Sequence, residues 1–500
     1  MDTIKNAKSY RLKGDRAAGQ EAGGSKERII TPGNYQDASE WLELVRNLNV
    51  EHALTTGETK KFKMDVFGCQ MNERDSETLA GLLTQMGYEQ VWGEDAFAHL
   101  VVFVTCCVRE NAEERVYGHI GALAKDCEEK GSFIIACGCM MQQPHVVEKI
   151  KKSYHNVKIV FGTHNVHTLP ELMYRYLTRG KRLFEVWDKE GAIVEDLPVK
   201  RTDKHKAWVN IVYGCNNFCT YCIVPHVRGR ERSRKMEDIL SEIRELALDE
   251  CKEITLLGQN VNSFGNDLGE KDLFARLLRE IEAIDGIERV RFMTSHPKDL
   301  SDSLILAMKD CGKVCGHLHL PFQSGSNRML KAMNRKYTKE HYLGLIEKIK
   351  TQLPHIALTT DVIVGFPGET EEDFEETLDL VEKVGFDSAF MFIYSARKGT
   401  PAATLEQTTT PAQISARFKR LVDLQTRVAD DLAQKYNGSI TEVLVDGPSK
   451  SNQEMLSGRT RTGRLVNFKG SEELIGTLVD VEITRAGAFW MEGKEVPRRG

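Results

Sequence analysis

The order of the 500 residues predicts an α/β protein in three parts: a doubly wound parallel sheet, an incomplete (βα)6 barrel, and a small antiparallel β-barrel. Three observations carry this expectation. From Lys61, short apolar strands alternate with amphipathic helices, a pattern that places a parallel sheet between two helical layers. Between Ala207 and Tyr436, strands are expected to begin near Trp208, Lys252, Glu288, Gly316, Ile356 and Asp387, and these six units fall short of the eight that close a TIM-like barrel. Beyond Asn437-Gly438, short alternating runs separated by Gly and Ser read as strands of a barrel of about sixty residues.

Hydrophobic content of 41% and charged content of 28% suit a globular chain with sizeable cores. A net charge of −5 argues against holding nucleic acid through a general basic field, so any RNA must be gripped locally. No apolar run approaches the length of a membrane span and the first residues lack a signal-peptide core, so a cytoplasmic protein without a membrane partner is expected. In that compartment twelve cysteines point to metal ligands or small buried hydrophobes rather than disulfides.

Residues 1–60, rich in Lys, Glu and Gly, read as a partly disordered accessory extension with one weakly amphipathic segment from Ala38 to Leu48. Residues 61–180 alternate as FKMDVFGC, SETLAGLLTQMGY with Gly87 as its C-cap, HLVVFVTCC, NAEERVYGHIGALAKDC, SFIIACGCM and KIVFGT. Ligands of such sheets sit beyond the carboxyl ends of the strands. Cys69, Cys106 and Cys139 follow three strands there, whereas Cys107, Cys127, Cys137, Cys251, Cys311 and Cys315 read as small core residues. Residues 181–206, with Pro198 and many charges, read as a linker.

In the barrel region, 207–436, the stretch YGCNNFCTYCIVP places Cys215, Cys219 and Cys222 on one short loop. Three thiolates can hold three corners of an iron–sulfur cubane and leave its fourth metal open; a zinc knob with a distant fourth ligand is the alternative. Met236, Ile239, Ile243, Leu246 and Ala247 share one helical face. Thr370 and Asp373 have capping-box spacing ahead of the stripe Phe374, Leu378 and Val381, and Thr410-Pro411 opens a long helix. Residues 437–500 form the last part.

The cysteine spacing, with Tyr221 before the third, resembles the signature of radical S-adenosylmethionine enzymes. From about residue 62 onward, GCQMN, TCxVRENAE, GCMMQ, LLGQNVNSFG, TSHP, LHLPFQSGS, DVIVGFPGET and YSARKGTP resemble the methylthiotransferase family, and RENAE is similar to its tRNA-modifying branch. The chain departs from the family at Val104-Thr105-Cys106, where Asn-Thr-Cys is usual; the register of VRENAE favours Cys106 over Cys107. The resemblance implies two 4Fe–4S clusters. One, on Cys215, Cys219 and Cys222, would bind S-adenosylmethionine and release a 5′-deoxyadenosyl radical; the other, on Cys69, Cys106 and Cys139, would carry the sulfur.

It further implies S-adenosylmethionine contacts from Tyr221, Gln259, Asn260, Gln323, Ser324, Gly365 and Gly368, for which turns and helix starts are the alternative. The implied reaction adds a methylthio group to C2 of N6-isopentenyladenosine at position 37, in the anticodon loop of tRNA. An external reductant such as flavodoxin or ferredoxin and a sulfur donor would be partners. The last part resembles the RNA-binding TRAM domain, with Arg459, Arg461, Arg464 and Phe468 as RNA contacts, or else a solvated face; Arg397 is a substrate contact or a surface ion pair. Rival readings are the same chemistry on threonylcarbamoyladenosine or on a ribosomal-protein aspartate, and a non-catalytic tRNA-binding iron–sulfur protein.

Overall fold

The computed structural model describes residues 38–93, 96–107 and 110–497. The chain divides into two compact units, the first running to Thr202 and including His226–Arg230, the second comprising Asp203–Pro225 and the chain from Glu231.

The first unit contains α1 (Ala38–Thr56), β1 (Lys61–Val66), α2 (Gln70–Gln85), β2 (Glu89–Gln90), β3 (Leu100–Thr105), α3 (Glu110–Ala122) and α4 (Ala124–Lys130). It continues through β4 (Phe133–Gly138), α5 (Pro144–Ser153), β5 (Val157–Phe161), α6 (Leu169–Arg179) and β6 (Leu183–Glu185). Every pair in the sheet is parallel, in the order β2-β1-β3-β4-β5-β6. β3 and β4 are buried along their whole length, as continuous apolar runs covered on both faces must be. The strand order reverses between β1 and β3, which makes that gap the switch point where ligands of such sheets bind.

Two stretches differ from expectation. The segment Ala38 to Leu48 lies in a full helix, α1, whose Leu42 and Val45 enter the core of this unit and whose Asn49 Nδ2 donates to Met86 O at 2.8 Å. The expected linker begins with β6, which pairs with β5; three residues are too few to carry a periodic signal. Residues 1–37 of the accessory extension lie outside the described residues.

The second unit holds β7 (Lys206–Asn210), β8 (Val212–Tyr213) and the start of the short α7 (Val224–Val227), whose end belongs to the first unit. Then come β9 (Arg232–Ser233), α8 (Met236–Leu248), β10 (Glu253–Leu257), α9 (Leu273–Glu282), β11 (Arg289–Phe292), α10 (Asp302–Asp310) and β12 (His317–His319). α11 (Asn327–Ala332), α12 (Lys339–Gln352), β13 (Ala357–Val364), α13 (Glu371–Val384), β14 (Ser388–Ile393) and α14 (Pro411–Gln434) complete the open barrel. Its parallel strands run β7-β10-β11 and β12-β13-β14, joined by a bridge between Val290 and Val314. Each strand starts within two residues of the position expected. The capping boxes at Thr370/Asp373 and Thr410/Gln413 both form, satisfying helix-start amides that would otherwise be orphaned.

The last part is a closed barrel of β15 (Ile440–Pro448), β16 (Leu456–Thr460), β17 (Leu465–Lys469), β18 (Leu478–Ala486) and β19 (Met491–Val496). It is not wholly antiparallel: β17 and β19 pair in parallel, because an odd ring of strands cannot close with antiparallel pairs alone. Arg289, fully buried, ties it to the six-strand barrel, donating to Arg459 O at 2.7 Å and to the Glu442 carboxylate at 2.9 Å. Among the described residues no helix is long and apolar enough to cross a membrane.

Candidate active site

Cys69 stands at the N-terminus of α2, Cys106 follows β3 directly, and Cys139 follows β4, so three neighbouring strand ends carry the first set of thiols. Glycine makes their approach possible. A Cβ on Gly68 (φ +115°) would lie 2.5 Å from Cys106 Cβ, and one on Gly138 (φ +96°) would lie 2.5 Å from Thr105 O. Asn72, from the GCQMN motif, is fully buried and clamps the strand ends: Nδ2 donates to Phe67 O at 2.6 Å and to Thr105 O at 3.0 Å. Its Oδ1 accepts from Arg228 Nη2 at 2.8 Å.

Arg228 is buried in the segment His226–Arg230 of this same unit, and its Nε donates to Cys139 Sγ at 3.2 Å. Cys107 is buried, as expected of a core residue, and its thiol also neighbours Cys139. The pairing of the two thiols pushes the Cys107 thiol up and the Cys139 thiol down, burial opposing the latter while the Arg228 charge assists it. Cys127, Cys137, Cys251, Cys311 and Cys315 are buried, as small hydrophobes should be.

The second set lies on the loop after β8. Asn334 Nδ2 donates to Phe218 O at 2.8 Å, Thr220 N donates to Met333 O at 3.0 Å, and Phe218 takes a left-handed backbone (φ +47°), so the loop is held in one shape. Burial pushes the Cys215 thiol up to about 11 and that of Cys222 to about 12. Such thiols ionise when a metal displaces their protons. Cys219 accepts from Arg335 Nη1 at 3.5 Å, and Arg335 is itself buried, donating to Pro321 O at 2.7 Å. Each set therefore has one buried arginine on one sulfur. Among the described residues no three His, Cys, Asp or Glu groups stand at the spacing of a single metal ion. The ligands of a cubane bond to different irons and stand further apart.

Around this loop the other expected residues divide. Gln259 Oε1 accepts from Gly214 N and so steadies the loop itself. Asn260 Nδ2 donates to Asp299 at 2.7 Å, leaving Asn260 Oδ1, like Ser295 Oγ and Tyr394 Oη, buried without a hydrogen-bond partner among the described residues. All three follow carboxyl ends of barrel strands, where a polar cofactor would satisfy them. Tyr221 packs beside Phe366, Met329 and Met333, and burial drives its phenol upward. Gln323 has a left-handed backbone (φ +66°), as does the β-branched Thr294 (φ +68°), two sites of backbone strain at strand ends.

Ser324 faces α13, its Oγ 3.5 Å from Thr377 Oγ1, and not the barrel mouth. Gly365 is explained by packing: a Cβ there would meet Ile414 of α14 at 2.9 Å. Gly368 (φ +83°) has open space around it, and Arg397 is half-buried, its carbonyl accepting from Thr400 Oγ1 at 2.8 Å.

Among the expected RNA contacts, Phe468 needs correction. Phe468 is wholly buried in the small barrel's core and has no face to stack. Arg464 Nη2 donates to Asp387 at 2.9 Å, and Arg461 donates to Gly312 O and Val314 O, so both tie the two barrels together; Arg459 stays exposed. An aromatic group that the sequence reading missed is Phe489, 66% exposed, next to Trp490, over whose ring the Arg485 guanidinium sits at 4.9 Å. Also missed was the run RGRERSR, in which Arg228, Glu231 and Arg234 are all buried; charged residues directly behind a ligand loop were the available signal.

The Radical SAM superfamily model matches residues 209–381, the model described as Uncharacterized protein family UPF0004 residues 61–162, and the TRAM domain model residues 434–495. The tRNA-2-methylthio-N(6)-dimethylallyladenosine synthase of Acetivibrio thermocellus is 53% identical over 472 residues, covering 94% of this chain and 98% of its own. The enzymes of the same name from Alkaliphilus oremlandii (52% over 469 residues, 94% and 98%) and Clostridium tetani (54% over 451 residues, 90% and 99%) are equally similar. Among solved structures, a radical S-adenosylmethionine methyltransferase of Kitasatospora setae, with cobalamin and a 4Fe–4S cluster bound, aligns with a TM-score of 0.52 at 12% identity. The alignment covers 69% of this chain and 74% of that one, a likeness of fold alone.

Proposed function

The chain belongs to the family of tRNA-2-methylthio-N(6)-dimethylallyladenosine synthases, which are radical S-adenosylmethionine enzymes, and on that premise we propose that it works with two 4Fe–4S clusters on two separate cysteine sets. The reaction is addition of a methylthio group to C2 of N6-isopentenyladenosine at position 37 of tRNA. Bound there, the clusters and two molecules of S-adenosylmethionine would supply sulfur, methyl group and the hydrogen-abstracting radical. The observation that carries the two-cluster reading is the duplicated arrangement: three strand-end thiols with Arg228 on Cys139, and three loop thiols with Arg335 on Cys219.

In this reading the protein's own groups position and exclude. Asn72 fixes the spacing of the thiols of Cys69, Cys106 and Cys139 by holding two strand ends at once. Gln259 and Asn334 hold the loop of Cys215, Cys219 and Cys222, while the unpartnered oxygens of Asn260, Ser295 and Tyr394 are available to S-adenosylmethionine. RNA is gripped at the β18–β19 turn, where Phe489, Trp490 and Arg485 offer stacking faces and one positive charge, consistent with a negative chain that must bind locally. The substrate's anticodon loop is single-stranded and its base can be turned out at modest cost. A cytoplasmic reductant such as flavodoxin or ferredoxin and a sulfur donor complete the cycle.

The test is anaerobic turnover of reconstituted protein with anticodon stem-loops that carry or lack the isopentenyl group. The prenylated RNA should be thiolated and the other turned over poorly; equal turnover would remove the specificity. Cys69→Ala should abolish thiolation while 5′-deoxyadenosine still forms. No 5′-deoxyadenosine from the unmodified protein would leave a non-catalytic iron–sulfur protein instead.

A further inference from the structure

The chain just beyond Cys222 is anchored residue by residue. Val227 O accepts from Thr163 Oγ1 at 2.7 Å, and Arg230 N donates to a Glu190 carboxylate oxygen at 3.0 Å. Between them Gly229 has a left-handed backbone (φ +76°), and a Cβ there would lie 2.9 Å from the Glu190 carboxylate. These contacts drive Arg228 into the interior of the first unit, where its side chain is 6% exposed.

A buried guanidinium is costly unless its donors and its charge are answered. Here Nη2 donates to Asn72 Oδ1 and Asp75 Oδ2, both at 2.8 Å, and Nε donates to Cys139 Sγ at 3.2 Å. Asp75, at 16% exposure, balances the charge. The Nε donor points at a sulfur that the proposed function makes a cluster ligand. Hydrogen bonds and charge beside a ligating sulfur favour the more negative, reduced state of an iron–sulfur centre.

We propose that Arg228 is a positioning residue for the auxiliary cluster: it orients the Cys139 thiolate and, opposed by Asp75, sets how readily that cluster is reduced. The inference rests on Cys69, Cys106 and Cys139 being the ligands. A consequence follows from chain order alone. The residue that tunes one cluster lies six positions after Cys222, the last ligand of the other, so the seat of the segment His226–Arg230 and the state of the auxiliary site are linked through one side chain.

The experiment uses full-length protein with Cys215, Cys219 and Cys222 all replaced by alanine, reconstituted anaerobically, so that only the auxiliary cluster reports. Iron and sulfide content and the midpoint potential, followed by electron paramagnetic resonance during a reductive titration, are read for this parent and for Arg228→Met, Arg228→Lys and Asp75→Asn added to it. The expected result is a lower midpoint for Arg228→Met, a partial return for Arg228→Lys, and a higher midpoint for Asp75→Asn. Loss of iron from Arg228→Met with retention in Arg228→Lys also supports the role. Unchanged midpoints at full iron content, or equal iron loss from both arginine variants, overturn it. A parent that binds no iron overturns the two-cluster reading itself and is told apart from the other failures at once.

Discussion

At Asn72 a single carboxamide holds the ends of β1 and β3 and receives Arg228, so three segments that carry or touch cysteines meet on one side chain. Asn72→Ala would leave the carbonyls of Phe67 and Thr105 without these donors. At the usual cost of unmade buried hydrogen bonds this is about 2–4 kcal/mol. The expected outcome is a lowered melting temperature of the metal-free protein and poor iron retention by the auxiliary site, read by thermal denaturation and iron assay. The cysteines themselves are legible in the sequence, because ligand spacing and placement after apolar strands are written in residue order. Arg228 and Arg335 are not: a charge in a loop reads as solvated until tertiary contacts bury it. The thiol of Cys107 is a similar case, since only the folded strand ends show that it reaches Cys139.

The elements follow local chemistry closely where that chemistry is strong. Thr370 with Asp373, and Thr410 with Pro411 and Gln413, cap their helices as their spacing implies, and the barrel strands start where apolar runs resume after polar turns. Elements whose signal is weak were missed or misassigned. β6 has three residues, and the direction of β19 relative to β17 is set by closure of a five-strand ring, not by any residue in either strand. The same weakness affects Phe468, expected as an RNA contact. Alternation in LVNFK does not say which side is inward, and the structure turns Phe468 into the core. The hairpin of β18 and β19 exposes Phe489 beside Trp490, the proposed RNA grip, where stacking is worth about 1–3 kcal/mol per base. Phe489→Ala should weaken binding of the anticodon stem-loop by roughly 10-fold in a filter-binding or anisotropy assay. Arg464→Ala, which breaks the pair with Asp387 inside the protein, should lower thermal stability first. An unchanged affinity in Phe489→Ala would move the RNA elsewhere.

At the scale of the whole molecule the chain is two compact units that share their sequence out of order, with His226–Arg230 counted in the first although the residues on both sides belong to the second. Within the second unit the small barrel is joined to the open barrel by charged side chains: Arg289 on Glu442, Arg464 on Asp387, and Arg291 donating to Thr460 O at 2.7 Å. Residue order announces the three parts, since periodicity changes at their borders, but not this interleaving, which depends on which surface each polar side chain finds. The proposed function assigns one site to the radical and another to the sulfur, so the account stands or falls on the number of clusters. Iron and sulfide are therefore to be counted anaerobically in the unmodified protein, in the protein with Cys215, Cys219 and Cys222 replaced, and in that with Cys69, Cys106 and Cys139 replaced. The account predicts about eight irons in the first and about four in each of the others, as two cubanes on independent ligand sets require. Four irons in the unmodified protein, with none left when either set is removed, would contradict it.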